Sequence, residues 1–400
     1  MTKNITRVLV SGASVAGLSV AYWLVRYGFE VTVVERAPYL RPGGQALDVR
    51  GPALEVTERM GILGTLRDRS TKLTGMSIVD DTGEELFRST ERTLTGGHFD
   101  SPDVEVLRDD LCAVLHEAAG GQVEYLFGDR ITGLDQDELG VDVAFENGPA
   151  RRFEVVIGAD GLHSGVRSIA FGPEAEFISY IGGCIAVFPI PNFLGLDRWQ
   201  IFYEKGGIFG GVLGLRPDLD ARTYLGFGFG GTERFRYDYR DVDAQKRLVA
   251  ERFADAGWVF PQILEHMWRA PNFYFDQMSQ IRMDRWSRGR VVLLGDAACC
   301  VSPATGQGTT AAMVGAYVFA GELAAHGDDL HAGIAAYEVA LRDYATRNQD
   351  SAVTVSADAQ SVYGERSPAE ALTHPDDIPD FGQMVQPFEF KPYPQLAQAA

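Results

Sequence analysis

The sequence contains few cysteines, no long apolar run and no surplus of positive charge. Its four cysteines, Cys112, Cys184, Cys299 and Cys300, have no CxxC spacing, which favours reduced thiols in a cytoplasm over a disulfide framework. No segment approaches the roughly 20 apolar residues that a membrane helix needs, and the N-terminus lacks a signal-peptide pattern. We therefore expect a cytoplasmic protein with no membrane partner.

Charge and histidine content argue against two further classes of partner. The net charge is -19, from 55 acidic residues against 36 lysines and arginines, and such a field repels phosphate. We therefore expect no nucleic-acid partner. The seven histidines are scattered without metal-ligand spacing, so we expect no metal. A length of 400 residues predicts two structural units, and the chain is expected to be a monomer or a weak homo-oligomer.

A β-α-β unit opens the chain. Residues 7–12 and 30–36 read as buried strands, and residues 14–28 between them have apolar residues at helical spacing. The turn from strand to helix is GASVAG, in which Gly12 permits a tight turn and Gly17 permits close packing of helix on strand. Ser14 stands where a third glycine would complete the dinucleotide-binding pattern.

Glu35 supports the dinucleotide interpretation of this turn. It closes the second strand, 18 residues beyond Gly17, where a carboxylate can accept hydrogen bonds from both ribose hydroxyls. A carboxylate there repels a 2′-phosphate, so this first site favours FAD or NAD over NADP. The alternative interpretation is that these residues bind no ligand and form only a structural turn followed by an exposed acidic residue.

Further elements follow along the chain. Helices are predicted over 105–119, 242–257, 308–326 and 332–348, strands over 123–127, 155–161 and 290–297, and a hairpin over 131–148. Aromatic and β-branched residues with short turns predict several antiparallel strands from Phe177 to Phe229. Six of the 18 prolines fall in the last forty residues, which predicts an irregular tail.

A second candidate site lies almost 300 residues after the first turn. Asp296 follows a buried strand, so its carboxylate is expected at the carboxyl edge of the sheet, where it can accept from the hydroxyls of a polyol. Gly306 and Gly308 then open a helix whose first amides are free. Such a helix end stabilises negative charge on a bound ring system. With one site at the first turn and another here, the two sites suit the two ends of FAD better than those of NAD.

These motifs together resemble the class A, single-component FAD-dependent monooxygenases, the para-hydroxybenzoate hydroxylase family. The resemblance rests on GASVAG with Glu35, on GADGLHSGVR (158–167) and on GDAACCVSPATGQG (295–308), and it spans about residues 5–350. It implies bound FAD, transient NADPH or NADH as electron donor, and O2 as a second substrate. It also implies a flavin C4a-hydroperoxide that hydroxylates an aromatic or polycyclic small molecule.

The resemblance implies roles for residues at both candidate sites. The residues expected to bind FAD are Gly12, Ser14 and Gly17 at the pyrophosphate, Glu35 at the ribose, Arg36 by the adenine, Arg108 of RDDL at the phosphate or ribityl chain, Asp160, Asp296 at the ribityl chain, Pro303, Gly306 and Gly308 along the isoalloxazine, and Asp48 and Arg50 of GGQALDVRG in a loop beside the flavin. No protein side chain is assigned as catalytic, because the reactive atom belongs to the cofactor.

The short layout of the chain, 400 residues without a thioredoxin-like third domain, resembles that of the tetracycline-inactivating monooxygenases and related tailoring hydroxylases. In that comparison Arg198 and Phe227 fall at substrate-facing positions. If TYLGFGFGG is a strand, Tyr224 and three glycines share one face while Phe227 lies on the other. A face with little side chain lets a flat ring approach closely, although ordinary sheet packing explains the same pattern.

The expected fold class is α/β: a Rossmann-like FAD-binding domain with a second, mainly antiparallel β-sheet substrate domain and a long C-terminal helix. The FAD-binding domain is assigned to 1–172 and 276–330, the substrate domain to 173–275, the helix to 331–350 and the proline-containing tail to 351–400. Two alternative functions stay open: a flavin-dependent reductase or dehydrogenase, and a non-catalytic flavoprotein that sequesters a ligand. The tryptophan motif of a flavin-dependent halogenase is missing from the sequence.

Overall fold

A computed structural model describes residues 6–93, 98–228, 234–365 and 385–394, with the backbone alone for Ala304 and residues 355–365. Its strands are β1 (Arg7–Ser11), β2 (Glu30–Glu35), β3 (Ala46–Val49), β4 (Gly75–Val79), β5 (Glu85–Ser89), β6 (Val104–Leu107), β7 (Val123–Phe127), β8 (Ile131–Gln136), β9 (Val141–Phe145), β10 (Arg151–Phe153), β11 (Val155–Gly158), β12 (Ile178–Ile190), β13 (Trp199–Lys205), β14 (Ile208–Gly214), β15 (Ala221–Phe227), β16 (Tyr274–Ile281), β17 (Ser287–Arg288) and β18 (Val291–Leu293). Its helices are α1 (Val15–Arg26), α2 (Pro52–Arg59), α3 (Leu63–Asp68), α4 (Arg108–Ala119), α5 (Gly165–Ala170), α6 (Val242–Arg252), α7 (Phe260–Arg269), α8 (Asp296–Cys299), α9 (Gly308–His326) and α10 (Leu330–Glu365).

The first unit is built on a six-stranded sheet in the order β17-β18-β11-β1-β2-β7. All its pairings are parallel except the short β17–β18 pair at one edge. Residues Val8 to Val10 of β1 are fully buried, as expected for a central strand covered on both faces. Helix α9 packs against α1 and carries an almost continuous run of buried small and apolar residues. The predicted α/β class is confirmed.

The second unit is a seven-stranded sheet in the order β16-β12-β15-β14-β13-β4-β5. Its pairings are antiparallel except β13 with β4. Helices α6 and α7 bury Val249, Phe253, Phe260 and Ile263 in the core of this unit. Strands β4 and β5 come from inside the segment 1–172, so this sheet is assembled from more of the chain than 173–275.

Three predicted helices differ clearly from the observed ones at their ends. The helix predicted over 242–257 is shorter, because α6 ends at Arg252. Residues 105–107 were expected to begin a helix, but they complete β6, whose pairing with β3 outweighs the local helical pattern. The helix predicted over 332–348 is longer, because α10 runs from Leu330 to Glu365. In the part of the chain that the structure describes, no helix is long and apolar enough to cross a membrane.

The described part of the tail, residues 385–394, packs back onto the first unit. The rings of Phe390 and Tyr393 contact Tyr317 of α9, and Tyr393 OH lies 3.0 Å from Glu322 Oε1. Lys391 Nζ forms an ion pair of 2.7 Å with the same carboxylate, which is almost fully buried. This segment covers the outer side of α9.

Candidate functional site

The turn between β1 and α1 has no room for side chains at its two glycines. Gly12 has φ +105°, and a Cβ there would lie 2.5 Å from the carbonyl oxygen of Ala159. A Cβ on Gly17 would overlap the carbonyl oxygen of Gly12. The chain therefore needs glycine at both positions to bring the start of α1 against the ends of β1 and β11.

The start of α1 presents backbone donors without a competing acid. Ser14 is the N-cap residue, its side chain makes no capping hydrogen bond, and no acidic residue lies in the first turn. Its hydroxyl lies 3.8 Å from Cys112 Sγ of α4. Because the first N–H groups of a helix have no partner within it, this end suits a phosphate.

Glu35 joins both sides of this turn. Its carboxylate accepts hydrogen bonds of 2.9 Å from the backbone amides of Ala13 and Ala37. The side chain is only partly buried, so lone pairs remain for hydroxyl donors. Arg36 beside it is exposed. We call residues 12–17 with Glu35 the nucleotide end of the site.

Arg108 is buried rather than solvated. It is the first residue of α4, and its guanidinium donates to the carbonyl oxygens of Arg41 and Gly43, with Nε 3.0 Å from the oxygen of Gly43. A Cβ at Gly44, where φ is +113°, would lie 2.5 Å from Arg108 Nε. In this structure the arginine holds the loop before β3 in place.

Asp160 lies directly against the first turn. A Cβ on Gly12 would come within 3.1 Å of Asp160 Cα. The carboxylate accepts from the hydroxyl of Ser164 and from the amide of Val166, at 3.1 Å, at the start of α5. Burial raises the pKa of Asp160, against the opposing effect of these hydrogen bonds. The two motifs thus meet at neighbouring strand ends.

Asp296 lies at the carboxyl end of β18 with its side chain exposed. The surrounding protein nevertheless raises its pKa, chiefly by desolvation. Gly295, with φ +62°, lets the chain turn so closely that a Cβ there would be 2.9 Å from Ala16 Cβ in α1. The second candidate site therefore begins beside the nucleotide end.

Residues 303–308 and 48–50 meet across the start of α9, and with Asp296 they form what we call the ring end. Gly306 has φ +64°, and a Cβ on it would lie 3.2 Å from Asp48 Oδ2 and 3.5 Å from Arg50 Nη1. Arg50 Nη2 pairs with Asp48 at 2.9 Å. Nothing lies within 4 Å of a Cβ built on Gly308, so space is open there.

Unpaired polar atoms surround this open space. Within the described residues, Arg50 Nε, Thr305 Oγ1 and Gln307 Oε1 are buried without a hydrogen-bond partner. Helix α9 has no capping side chain and no acid in its first turn. Buried donors and acceptors without partners are rare, because each costs about 1–3 kcal/mol. A planar ring with polar edges would satisfy them, so the residues present fit a flavin.

Strand β15 presents its two faces to different surroundings. Tyr224 OH accepts a hydrogen bond of 2.8 Å from the amide of Ala46, and Arg222 lies 3.5 Å from Asp109 Oδ2. These side chains, with Gly226, face β3 and α4. Arg222 and Tyr224 were not among the expected substrate residues, although the alternation of the strand had already separated Tyr224 from Phe227.

The two expected substrate residues lie elsewhere. Phe227 is 1% exposed and its ring packs against Phe235 and Phe275 in the core under α6 and α7, so it offers no surface to a substrate in this structure. Arg198 precedes β13 with φ +47°, and its half-exposed side chain pairs with Asp197 at 3.4 Å. The structure brings neither residue to Asp48 or Gly306. Residues 229–233, the end of the glycine-rich stretch, lie outside the described residues.

A buried polar cluster joins the two units. His163 Nδ1 lies 3.0 Å from Glu174 Oε1, its Nε2 lies 3.1 Å from Asp276 Oδ2, and its ring stacks on Tyr239. Burial lowers the pKa of His163, but the hydrogen bonds to both carboxylates outweigh it and raise the pKa to about 9. Arg167 extends the cluster to the carbonyl oxygen of Ala297, beside Asp296.

In the described part of the chain, no group of three or more histidines, cysteines and acids could hold a metal ion. All four cysteines are buried, and no disulfide joins any two of them. Burial raises the pKa of the Cys299 thiol to about 12, which leaves it unreactive at neutral pH. These residues do not add a metal or redox site to the arrangement.

Comparisons with known proteins give consistent matches. A family model described as an FAD binding domain matches residues 5–352. An uncharacterized protein of Mycobacterium tuberculosis is 54% identical over 342 residues, covering 86% of this chain and 91% of the relative. A flavin-dependent monooxygenase of Legionella longbeachae is 35% identical over 356 residues, covering 89% of this chain and 90% of the relative. The crystal structure of tetracycline destructase Tet(51) matches with a TM-score of 0.82 at 32% identity, covering 96% of this chain and 99% of that one.

Proposed function

The chain belongs to the FAD-binding family of flavin-dependent monooxygenases, and from that premise we propose that it hydroxylates an aromatic or polycyclic small molecule. NADPH or NADH would be the transient electron donor, and O2 the source of the oxygen atom. The observation that carries this proposal is a pair of complementary sites along one sheet edge. One offers free helix amides and a carboxylate, and the other offers unpaired polar atoms beside open space.

Each end of the site suits a different part of FAD. At the nucleotide end, the amides that open α1 would bind the pyrophosphate, and Glu35 would accept from ribose hydroxyls. Asp296, exposed at the strand end, would accept from the ribityl hydroxyls. Arg50, Thr305 and Gln307 would meet the polar edge of the ring. When bound, FAD supplies the redox and oxygen chemistry.

The residues of this chain would then orient the reactants and exclude water. The start of α9 favours negative charge on the adjoining ring edge by about 0.3–2 kcal/mol, depending on burial. Tyr224 and Arg222, both half-buried on β15, would contact the substrate. Asp160, which lies against the first turn, would help to bind FAD where the two ends of the site meet.

Similarity to tetracycline destructases at 32% identity makes polycyclic compounds the first substrates to test. Tyr224 and Arg222 are half-buried on β15 and offer a phenol and a guanidinium, which suit a planar molecule with phenol or ketone oxygens. We therefore propose a substrate of that class.

The test measures oxidation of NADPH and of NADH by purified FAD-loaded protein, with a panel of phenols and tetracyclines. We expect one ligand to accelerate the oxidation and 18O from 18O2 to appear in the product. Accelerated oxidation of NADPH or NADH and conversion of the ligand without 18O in the product would identify a reductase. Ligand binding without any turnover would identify a sequestering protein, and either result overturns the proposal.

A further inference from the structure

Two carboxylates oppose each other in the wall of the ring end. Strands β3 and β6 form a two-stranded antiparallel ladder in which Asp48 lies directly across from Glu105. The neighbouring pairs of this ladder are apolar: Ala46 with Leu107, Leu47 with Val106, and Val49 with Val104. Side chains directly opposite in such a ladder have Cβ atoms about 4.5–5.5 Å apart, so two charges there repel.

Positive charge near the pair is too little to neutralise it. Arg50 pairs with Asp48 at 2.9 Å, but it also lies 3.6 Å from a third carboxylate, Asp103. Thr71 donates a hydrogen bond of 2.7 Å to Glu105. Tyr224 of β15 also lies near the pair, and Arg222 of the same strand is paired with Asp109 at 3.5 Å. One guanidinium thus serves three carboxylates.

Burial strengthens the repulsion. The Asp48 side chain is 25% exposed, and the Glu105 side chain is also only partly exposed. Burial raises the pKa of Glu105, the charge of Asp48 raises it further, and the hydrogen bond from Thr71 and the charge of Arg50 lower it, to give a value of about 7. Burial likewise raises the pKa of Asp48 against the opposing effect of Arg50.

We propose that Asp48 and Glu105 hold a single proton between them at neutral pH and form the acid–base pair of the ring end. This inference rests on the proposed function only in that FAD is the ligand expected to cover the pair. A ligand at Gly306 would remove the remaining water from Asp48 and raise the affinity of the pair for its proton. In those molecules whose pair is still doubly ionised, a proton would then pass from solvent to a carboxylate oxygen, changing the charge of the pair from -2 to -1 with no transfer of electrons.

The proton itself can be observed in the cofactor-free protein by infrared spectroscopy. We expect a carboxylic-acid C=O band that titrates near pH 7 in the wild type and is lost in Glu105→Gln. Thr71→Val should shift that titration to higher pH, because it removes a hydrogen bond that lowers the pKa of Glu105. A spectrum of Glu105→Gln identical to that of the wild type between pH 5 and 9 would overturn the proposal.

The chain offers a matched control for this titration. Asp135 and Asp142 also lie directly opposite each other, in the β8–β9 ladder, but both are exposed and Asp142 pairs with Arg152 at 2.6 Å. Asp135→Asn should leave the neutral-pH C=O band unchanged. An equal change in Asp135→Asn and Glu105→Gln would show that the opposition of two acids alone, without the cleft, causes the effect.

Calorimetry of FAD binding in buffers of different ionisation enthalpy tests the exchange with ligand. We expect the wild type to take up a substantial fraction of one proton, up to about one, at pH 7–8, and Glu105→Gln and Asp48→Asn to take up almost none. Equal proton uptake by the wild type and both variants would overturn the proposed proton exchange on ligand binding. Failure of FAD to bind any of them would instead contradict the proposed function, and the infrared result would stand by itself.

Discussion

The nucleotide end and the ring end are built in different ways. All side chains of the nucleotide end come from residues 12–35, and its geometry depends on backbone packing at Gly12 and Gly17. The ring end is assembled from residues 48–50, Asp296 and residues 303–308, with residues 103–105 in its wall, and it depends on charges and unpaired polar atoms. We therefore expect a side chain added at a glycine of the nucleotide end to abolish FAD binding. Single substitutions at the ring end should instead lower FAD affinity by smaller amounts.

The largest effect is expected from Gly17→Ala at the nucleotide end. The new methyl group would overlap the carbonyl oxygen of Gly12, so the helix must move away from the turn. We expect a loss of about 3 kcal/mol or more in stability, by analogy with overpacked cores, and loss of FAD retention. Thermal unfolding and FAD content after gel filtration measure both.

Gly64→Ala is the control for that substitution. Gly64 lies in α3 and a Cβ on it meets nothing within 4 Å. Alanine should stabilise this helix by up to about 1 kcal/mol. If both variants behave alike, the steric account of the first turn is wrong.

Asp296→Asn tests the ring end with a smaller expected effect. The amide keeps the shape of the side chain but removes its charge and one acceptor. Hydrogen bonds to charged groups contribute about 1.5–3 kcal/mol, so FAD affinity should fall by roughly 10- to 100-fold while the fold is retained. Fluorescence titration with FAD measures this, and Asp328→Asn, at an exposed turn, should change nothing. Unchanged affinity in Asp296→Asn would remove this residue from the site.

Glu35→Gln should have a milder effect at the nucleotide end. The amide oxygen of glutamine can still accept from one of the two backbone amides that the carboxylate now holds at 2.9 Å. We expect about 1 kcal/mol less FAD affinity, roughly fivefold, by the same titration. A loss as large as that of Gly17→Ala would mean that the two ends do not differ in the way described.

The smallest effect on FAD is expected from His163→Gln, outside both ends, and it depends on pH. Because folding raises the pKa of His163 from 6.5 to about 9, its contribution to stability is complete below pH 6.5 and is lost as the pH rises through 9. The variant should therefore be less stable than the wild type by about 2 kcal/mol at pH 6, and the gap should narrow above pH 9. Urea unfolding at both pH values measures this, with exposed His331→Gln as the control. A gap that widens with pH would contradict the assignment of the two ion pairs.

The sequence alone predicted the β-α-β unit and the strand ends at Asp160 and Asp296. Glycine at Gly12 and Gly17 constrains the backbone locally, and buried strands followed by helices leave a strong pattern. The start of α4 was placed three residues early, because the β3–β6 pairing that holds residues 105–107 depends on a partner sixty residues away.

The substrate side and the acid pair were harder to predict. Alternation along β15 shows that Tyr224 and Phe227 face opposite ways, but it does not show which face α6 and α7 cover. The resemblance placed Phe227 at a substrate-facing position, whereas in the structure it lies in the core. Glu105 was missed because its opposition to Asp48 follows from strand register, and nothing near either residue signals that register.

The segment 385–394 gives the end of the chain an influence on the cleft. Lys391 and Tyr393 supply the ion pair and a hydroxyl contact to Glu322, whose side chain is 3% exposed inside α9. Removing them would leave the buried carboxylate with His326 Nδ1, at 3.8 Å, beside it, in the same helix whose first turn meets the ring end. Breaking a buried ion pair costs about 3–5 kcal/mol. Loss of this segment, by truncation or proteolysis, would thus destabilise α9 and through it the ring end. No residue of the segment belongs to either end of the site.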